Sequence, residues 1–265
     1  MKEILRILEK IAPLQLSEDY DARNGIQVEG PNVDVTGILT CLDVTPLTVK
    51  KAIESSCQLI ISHHQPILTP LKTILKSDWY GEIAILALKH DITIYSVHTP
   101  YDAVEGGLND YVGKLIGLEE MYPLQHHGGD LNSPHGMGRL GKLKEPVYLD
   151  DFAAHVRESL NASTLKVVGK GKRMIQKVAL GTGNGLALIS TVLKSGADVY
   201  VTGDVQYRDM REMVQNGMSL IAVEHDDTEK FFSKAMGEAI KRFLPSMKIV
   251  EYNDKFYHTL NPNDV

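Results

Sequence analysis

Apolar residues along this chain gather in short runs, and the runs alternate with stretches whose apolar positions recur at helical spacing. ILTCL at 38–42 leads to a helix starting at Pro46, LIIS at 59–62 to a helix over about 81–89, and ITIYSV at 92–97 to a helix over about 111–116. Short apolar runs bounded by polar turns read as strands, and strands alternating with helices predict parallel βαβ units with helices on both faces. The polar stretch YPLQHHGGDLNSP at 122–134 comes closest to a linker and reads as a loop. After it come a strand at GMGRLGKL, a helix over 152–160 and a strand at 165–168. A second alternation follows: strand 178–180, helix 185–194, strand 199–201, helix 210–215, strand 220–223 and helix 227–243. Thr45 before Pro46 has the signature of an N-cap followed by proline at the first helical position.

The two alternating stretches resemble each other. GILTCLDVTPLTVKKAIESSCQLIISHH and KVALGTGNGLALISTVLKSGADVYVTGD both read strand, loop, helix, strand, polar end. In each, the next strand ends in a histidine with a carboxylate four residues later: His98 with Asp102, and His225 with Glu229. An internal duplication accounts for this, with the general grammar of α/β chains as the plainer explanation. The duplication predicts an α/β fold of two similar halves, residues 1–125 and 126–265, with discontinuous packing between them allowed. The halves are expected to face each other across a pseudo-twofold axis, with a metal site between them.

Composition narrows the partners. Twenty-eight Lys and Arg against thirty-four Asp and Glu give a net charge of −6, so no basic surplus exists to neutralise nucleic-acid phosphates or anionic lipid. No apolar run approaches the ~20 residues of a membrane span, and the amphipathic start MKEILRILEKIAP lacks the apolar core of a signal peptide. A cytoplasmic protein is expected, without membrane or nucleic acid as a primary partner. Cys41 and Cys57 cannot build a disulfide framework or a Cys-rich zinc site. Any metal must be held by histidines and carboxylates.

Three apolar runs end in histidine: LIIS in His63 and His64, ITIYSV in His98, SLIAVE in His225. In open α/β sheets ligand sites lie outside the carboxyl ends of the strands. Singly, each such histidine reads as a cap or a hydrogen-bonded surface residue. Together with Asp102 and Glu229 they offer more donors than one tetrahedral site needs, so two divalent ions ~3.5–4 Å apart become the reading. His225 and Glu229 lie one turn apart if a helix begins near residue 226. Asp204, ending the strand equivalent to that of His63 and His64, reads as an acceptor that orients a ligand histidine or as a surface loop residue. The turn Gly181 to Gly185 (GTGNG) suits either a phosphate cradle or a tight strand-to-helix turn, while His126 and His127 read as a solvated pair.

These motifs resemble a known family, the dinuclear metal-binding proteins named GTP cyclohydrolase 1 type 2 homologues. ARNGIQVEG, LDVTP, LIISHHQPILTPLKTI, VHTPYDAVEGGLNDYVGKLIGL, GTGNG, ADVYVTGD and EHDDTEKF occur in family order from about Asn24 to Phe231. The resemblance implies metal ligands at His63, His64, Asp102, His225 and Glu229, and a substrate-facing or supporting role for His98. It also implies two metal ions per chain (zinc, iron, manganese, nickel or cobalt) and a toroidal homohexamer, a trimer of dimers. The chain departs from the family pattern where Gln65 separates the histidine pair from Pro66, where Gln206, Tyr207 and Arg208 replace a histidine pair, and where Glu224 and Asp226 flank His225. The implied activity is hydrolytic opening of the guanine ring of GTP with formate release, with His98 or Glu224 moving a proton. The alternatives are a non-catalytic metal-binding scaffold or regulatory assembly, and a metal-dependent phosphoesterase acting on a nucleotide or small phosphate.

Overall fold

The computed structural model describes residues 1–21, 23–31 and 33–254; the expectation for 255–265, a closing strand or a free tail, lies outside the described residues. The chain forms two units, one comprising 1–101 and 230–254, the other 102–229. The first unit contains α1 (Lys2–Ile11), β1 (Gly25–Val28), β2 (Gly37–Cys41), α2 (Pro46–Glu54), β3 (Leu59–Ser62), α3 (Trp79–Lys89) and β4 (Thr93–Ser96), after which α4 (Thr99–Ala103) carries the chain into the second unit. There follow α5 (Leu108–Leu115), β5 (Glu119–His126), β6 (Gly136–Tyr148), α6 (Leu149–Leu160), β7 (Leu165–Val168) and β8 (Met174–Gly181). Next come α7 (Ile189–Ser195), β9 (Val199–Thr202), α8 (Tyr207–Gln215), β10 (Ser219–Val223) and α9 (His225–Glu229). The chain then returns to the first unit with α10 (Phe232–Phe243) and β11 (Lys248–Glu251).

The first sheet has the order β1-β4-β3-β2-β11, with β4, β3, β2 and β11 parallel and β1 antiparallel at the edge. The second has the order β5-β6-β8-β9-β10-β7; β8, β9 and β10 are parallel, and β5, β6 and β7 pair antiparallel. The expected parallel βαβ units are present in both sheets, as β2, β3 and β4 in the first and β8, β9 and β10 in the second, and antiparallel strands are added at the flanks. The central strands β2, β3, β4, β9 and β10 are buried at every position, as strands covered on both faces must be, and this is why they appear in the sequence as unbroken apolar runs. The flanking β1, β5, β7 and β11 are partly exposed and carry no such run.

Three local outcomes matter for the site. Thr45 caps α2 in a reciprocal box, its hydroxyl accepting from Thr48 N at 3.1 Å while Thr45 N donates to Thr48 Oγ1 at 3.2 Å. The stretch expected as a loop at 122–134 is instead largely strand β5 and the turn into β6. The single helix expected over 227–243 is instead two, α9 and α10, and at the break between them Lys230 O accepts from Asn253 Nδ2 at 2.8 Å. Among the described residues no helix is long and apolar enough to cross a membrane.

Candidate metal centre

In the first unit, neighbouring parallel strands β3 and β4 bring their carboxyl ends side by side. His63 and His64 follow β3 directly, and His98 follows β4 by two residues. The ring centroids of His63 lie 5.1 Å from His64 and 4.8 Å from His98, and those of His64 and His98 are 5.5 Å apart. One ring nitrogen from each of the three lies within 4.8 Å of the others. His63 is fully buried, its ring packed against Phe232 at 4.9 Å between centroids.

The rings of His63 and His64 are held from behind at Nδ1, and a carboxylate lies beside Nδ1 of His98. His63 Nδ1 faces Val97 O at 3.3 Å, His64 Nδ1 faces Asp43 Oδ1 at 2.8 Å, and His98 Nδ1 stands 3.1 Å from Asp21 Oδ2. An oxygen that can only accept forces the proton onto Nδ1, so in the neutral ring Nε2 carries the lone pair. Asp21 is the most heavily bonded of these acceptors. Burial works to raise its pKa, but hydrogen bonds from His98, Thr99 and Asn24 outweigh it and hold the carboxyl well below the usual range.

The second unit repeats the device with a carboxylate added in front. His225 opens α9, so Glu229 falls one turn later on the same face, with Glu229 Oε2 2.8 Å from His225 Nε2. His225 Nδ1 bonds Asp204 Oδ2 at 2.7 Å. Burial lowers the proton affinity of this imidazole, but Glu229 and then Asp204 more than reverse it and push the pKa up to about 9. Asp204 adopts a left-handed φ of 54° to reach the ring, a conformation costly for a non-glycine residue. Asp102 accepts from Thr182 Oγ1 at 3.3 Å, and its backbone carbonyl accepts from Asn109 Nδ2 at 3.1 Å. Asn109 in turn takes the N–H of Thr182 at 3.1 Å, while Asp110 neutralises buried Arg139 at 2.8 Å. GGLND therefore acts at a distance, through Asn109 and Asp110, on the segment that carries Asp102.

The glycine turn after β8 does not offer a phosphate cradle. The N–H groups of Thr182, Gly183, Gly185 and Leu186 donate to Asn109 Oδ1, Thr228 Oγ1, Thr202 Oγ1 and Asn184 Oδ1. Gly183 has φ +58°, and a Cβ there would run into the Glu229 carboxylate and the His225 ring. Its glycine makes room for those two side chains.

Glu224 directs its carboxylate to Thr164, whose hydroxyl donates at 2.5 Å. His126 ends β5 with Nδ1 on Ser133 O at 2.9 Å, and His127 donates its N–H to His135 O at 2.9 Å, so this pair organises the β5–β6 turn. Sequence reasoning assigned no role to Asp43 or Asp21. Asp43 carries the same signal as the histidines, a polar residue just past an apolar strand. Asp21 carries none, lying in the polar stretch SEDYDARNG, where only the fold shows which carboxylate is buried.

The donor set suits a divalent ion. Nδ1 of His63, His64 and His225 is committed to an oxygen, which orients Nε2 as the ligating atom, the arrangement that supports metal-bound imidazoles generally. Glu229 adds a carboxylate oxygen beside His225.

Known proteins bear on this arrangement. The model of the Duf34/NIF3 (NGG1p interacting factor 3) family matches residues 1–255. A Streptococcus pneumoniae protein named GTP cyclohydrolase 1 type 2 homolog is 33% identical over 227 residues, covering 84% of this chain and 83% of its own. A Clostridium perfringens protein of the same name is 29% identical over 246 residues, covering 93% of each chain. The crystal structure of a Bacillus cereus protein related to NIF3 superposes with a TM-score of 0.87 over 98% of both chains at 24% identity, which shows a shared fold. The chain belongs to the Duf34/NIF3 family.

Proposed function

We propose that the chain is a metal-dependent hydrolase that binds two divalent ions through His63, His64, Asp102, His225 and Glu229 and acts on a nucleotide, with GTP as the substrate. The observation that carries this reading is the shared pinning of Nδ1 in His63, His64 and His225, which fixes Nε2 as the atom each ring offers to a metal, with Glu229 beside that of His225. The name borne by the Streptococcus pneumoniae relative supplies the choice of GTP. Ions held by such donors polarise the bond under attack and make water more acidic near neutral pH.

The chain's own residues then have proton and orientation work to do. Opening the imidazole ring of guanine by water at C8, and release of that carbon as formate by a second water, requires a group that takes a proton from water and returns it to the departing nitrogen. We assign that role to His98, with Glu224, bonded to Thr164, as the alternative. The test is elemental analysis of the purified, tag-free chain together with formate detection after incubation with GTP and the metal found. About two ions per chain with formate release is the expected result. Ions without formate but with inorganic phosphate from a phosphoester would move the substrate, and failure to bind metal after reconstitution would sink the reading.

A further inference from the structure

Beyond β9 the chain passes through Asp204, whose carboxylate holds the His225 ring at 2.7 Å, and enters α8 three residues later at Tyr207. Three residues of extended chain span at most about 11 Å, so α8 begins close to the side chains of the metal centre in its unit. The start of the helix is fixed. Gln206 N donates to Asp209 Oδ2 at 3.0 Å, Asp209 is buried, and Met213 one turn on is packed in the core. The exposed face of the same helix carries Tyr207, Arg208, Arg211, Glu212 and Gln215, which line a groove with a volume of about 410 Å³.

The cations of this groove are not used by the fold. Arginines that serve the fold have partners: Arg139 meets Asp110 at 2.8 Å, and Arg173 donates to Gly217 O at 2.6 Å. Arg208 and Arg211 make neither an ion pair nor a side-chain hydrogen bond among the described residues. Glu212 follows Arg208 at the four-residue spacing of a helix ion pair, yet the two do not pair. Two guanidinium groups one turn apart repel each other, and a chain of net charge −6 has no general surplus of cations to place there. Tyr207, Arg211 and Gln215 recur every four residues and form one ridge about 12 Å long, with Arg208 beside it. All four side chains offer N–H or O–H donors, and of the five lining residues only Glu212 is purely an acceptor.

We propose that this groove binds the phosphate chain of a nucleotide, with Arg208 and Arg211 on the phosphates and the Tyr207 hydroxyl and Gln215 amide completing the donor set. Guanidinium groups match phosphate oxygens in pairs and keep their charge at any working pH. A ridge of this length suits a chain of two or three phosphates better than a single one. That the nucleotide held here is the one acted on at the metal centre rests on the hydrolase reading above; the binding of phosphates by the groove does not.

The experiment is titration calorimetry of the full chain as purified, at low salt, with inorganic triphosphate, GTP and guanosine as separate probes. GTP and triphosphate are expected to bind, and the double variant Arg208→Gln, Arg211→Gln to weaken each at least ~10-fold without changing the response to guanosine. No binding of triphosphate at millimolar concentration, or equal affinities in the unmodified and double-variant chains, overturns the proposal. Triphosphate bound more tightly than GTP would give the groove to free polyphosphate and overturn the choice of a nucleotide. Glu212→Gln removes the one carboxylate of the groove and is expected to tighten triphosphate binding by about 2–5-fold; unchanged or weaker binding overturns the placement of the anion. Arg157→Gln, at an exposed arginine of α6, is expected to change nothing, and a loss equal to that of the double variant would mean that overall charge and not the groove attracts the anion.

In the metal-loaded protein the double variant is expected to raise KM for GTP at least ~10-fold with metal content unchanged. An unchanged KM would detach the groove from the substrate of the metal centre and overturn that part of the proposal. If the unmodified chain releases no formate from GTP, the hydrolase reading fails alone, and the calorimetry still decides what the groove binds.

Discussion

The two units share a scaffold rank by rank, yet their chemistry is offset by one residue. In the first sheet Cys41, Ser62 and Ser96 lie in register across β2, β3 and β4; in the second, Gly181, Thr202 and Ala222 lie in register across β8, β9 and β10. Even the antiparallel edge recurs, β1 beside β4 and β7 beside β10. Two residues beyond those ranks, the first unit has Asp43, His64 and His98, and the second has Gly183, Asp204 and Glu224. His64 and Asp204 therefore occupy equivalent positions, one a ring and the other the carboxylate that holds a ring. His98 is equivalent to Glu224, and His225 to Thr99, the residue that supports Asp21. A duplicated backbone has been fitted with two different arrangements: in the first unit Asp43 stands behind a ring at Nδ1, and in the second Asp204 stands behind His225 while Glu229 faces its Nε2.

The sharpest break of this comparison comes from the front carboxylate. Glu229→Gln removes the group facing His225 Nε2 and is expected to weaken metal binding by at least ~10²-fold, measured by titration of metal into metal-free protein with elemental analysis of the product. Unchanged affinity would reduce the second unit to the design of the first. Removing the rear carboxylates should cost less and cost both units alike. Asp43→Leu and Asp204→Leu each lose the acceptor that fixes Nδ1, and about 10–100-fold in affinity is expected for each. An effect of one without the other would show that only one unit uses its rear carboxylate to orient a ligand.

The rank shared by Asp43 and Gly183 gives a third, smaller contrast, read in stability. Gly183→Ala places a side chain at φ +58° against Glu229 and is expected to cost about 1–3 kcal/mol in thermal or urea unfolding. Asp43→Ala, at the equivalent position with a half-exposed side chain, is expected to stay within about 0.5 kcal/mol. Equal costs would mean that the glycine serves the turn alone and not the room in front of Glu229.

What the sequence made legible follows this division. β2, β3, β4, β9 and β10 were readable because strands buried on both faces must be apolar throughout, and the histidines because each directly follows such a run. The spacing of His225 and Glu229 predicted their meeting correctly, since α9 begins at His225 itself. The same spacing suggested that His98 and Asp102 were their copies, and here it misled: α4 begins one residue after His98, so Asp102 is equivalent to Thr228 rather than Glu229. A period of four in sequence cannot distinguish a helix that starts at the histidine from one that starts after it. β1, β5, β7 and β11 lie at sheet edges or beside them with mixed exposure; β7 was read correctly from its LKVV run, but the others left no pattern of their own. Gln65 takes its meaning from partners more than 40 residues away, and Asp21 from Gln65 and Thr99 at such distances as well as from nearby Asn24.

The smallest effect tests the front carboxylate through protons. In metal-free protein His225 stands between Glu229 and Asp204, which raise its pKa from 6.5 to about 9 despite partial burial. A group whose folded pKa lies above its unfolded value stabilises the fold fully below the unfolded pKa and loses that contribution as pH rises through the folded one. Urea unfolding of the metal-free chain should therefore give a contribution from His225 that is intact at about pH 6 and falls away between about 6.5 and 9. His225→Gln should flatten the pH dependence in that window, and Asp204→Asn should move its upper end downward. Metal should reverse the trend, because a ligating imidazole must release its proton; uptake below about pH 9 is then accompanied by proton release and tightens as pH rises. If His225→Gln retains the full pH dependence between 6.5 and 9, the proton does not sit between His225 and Glu229, and the second unit holds its histidine in the same way as the first.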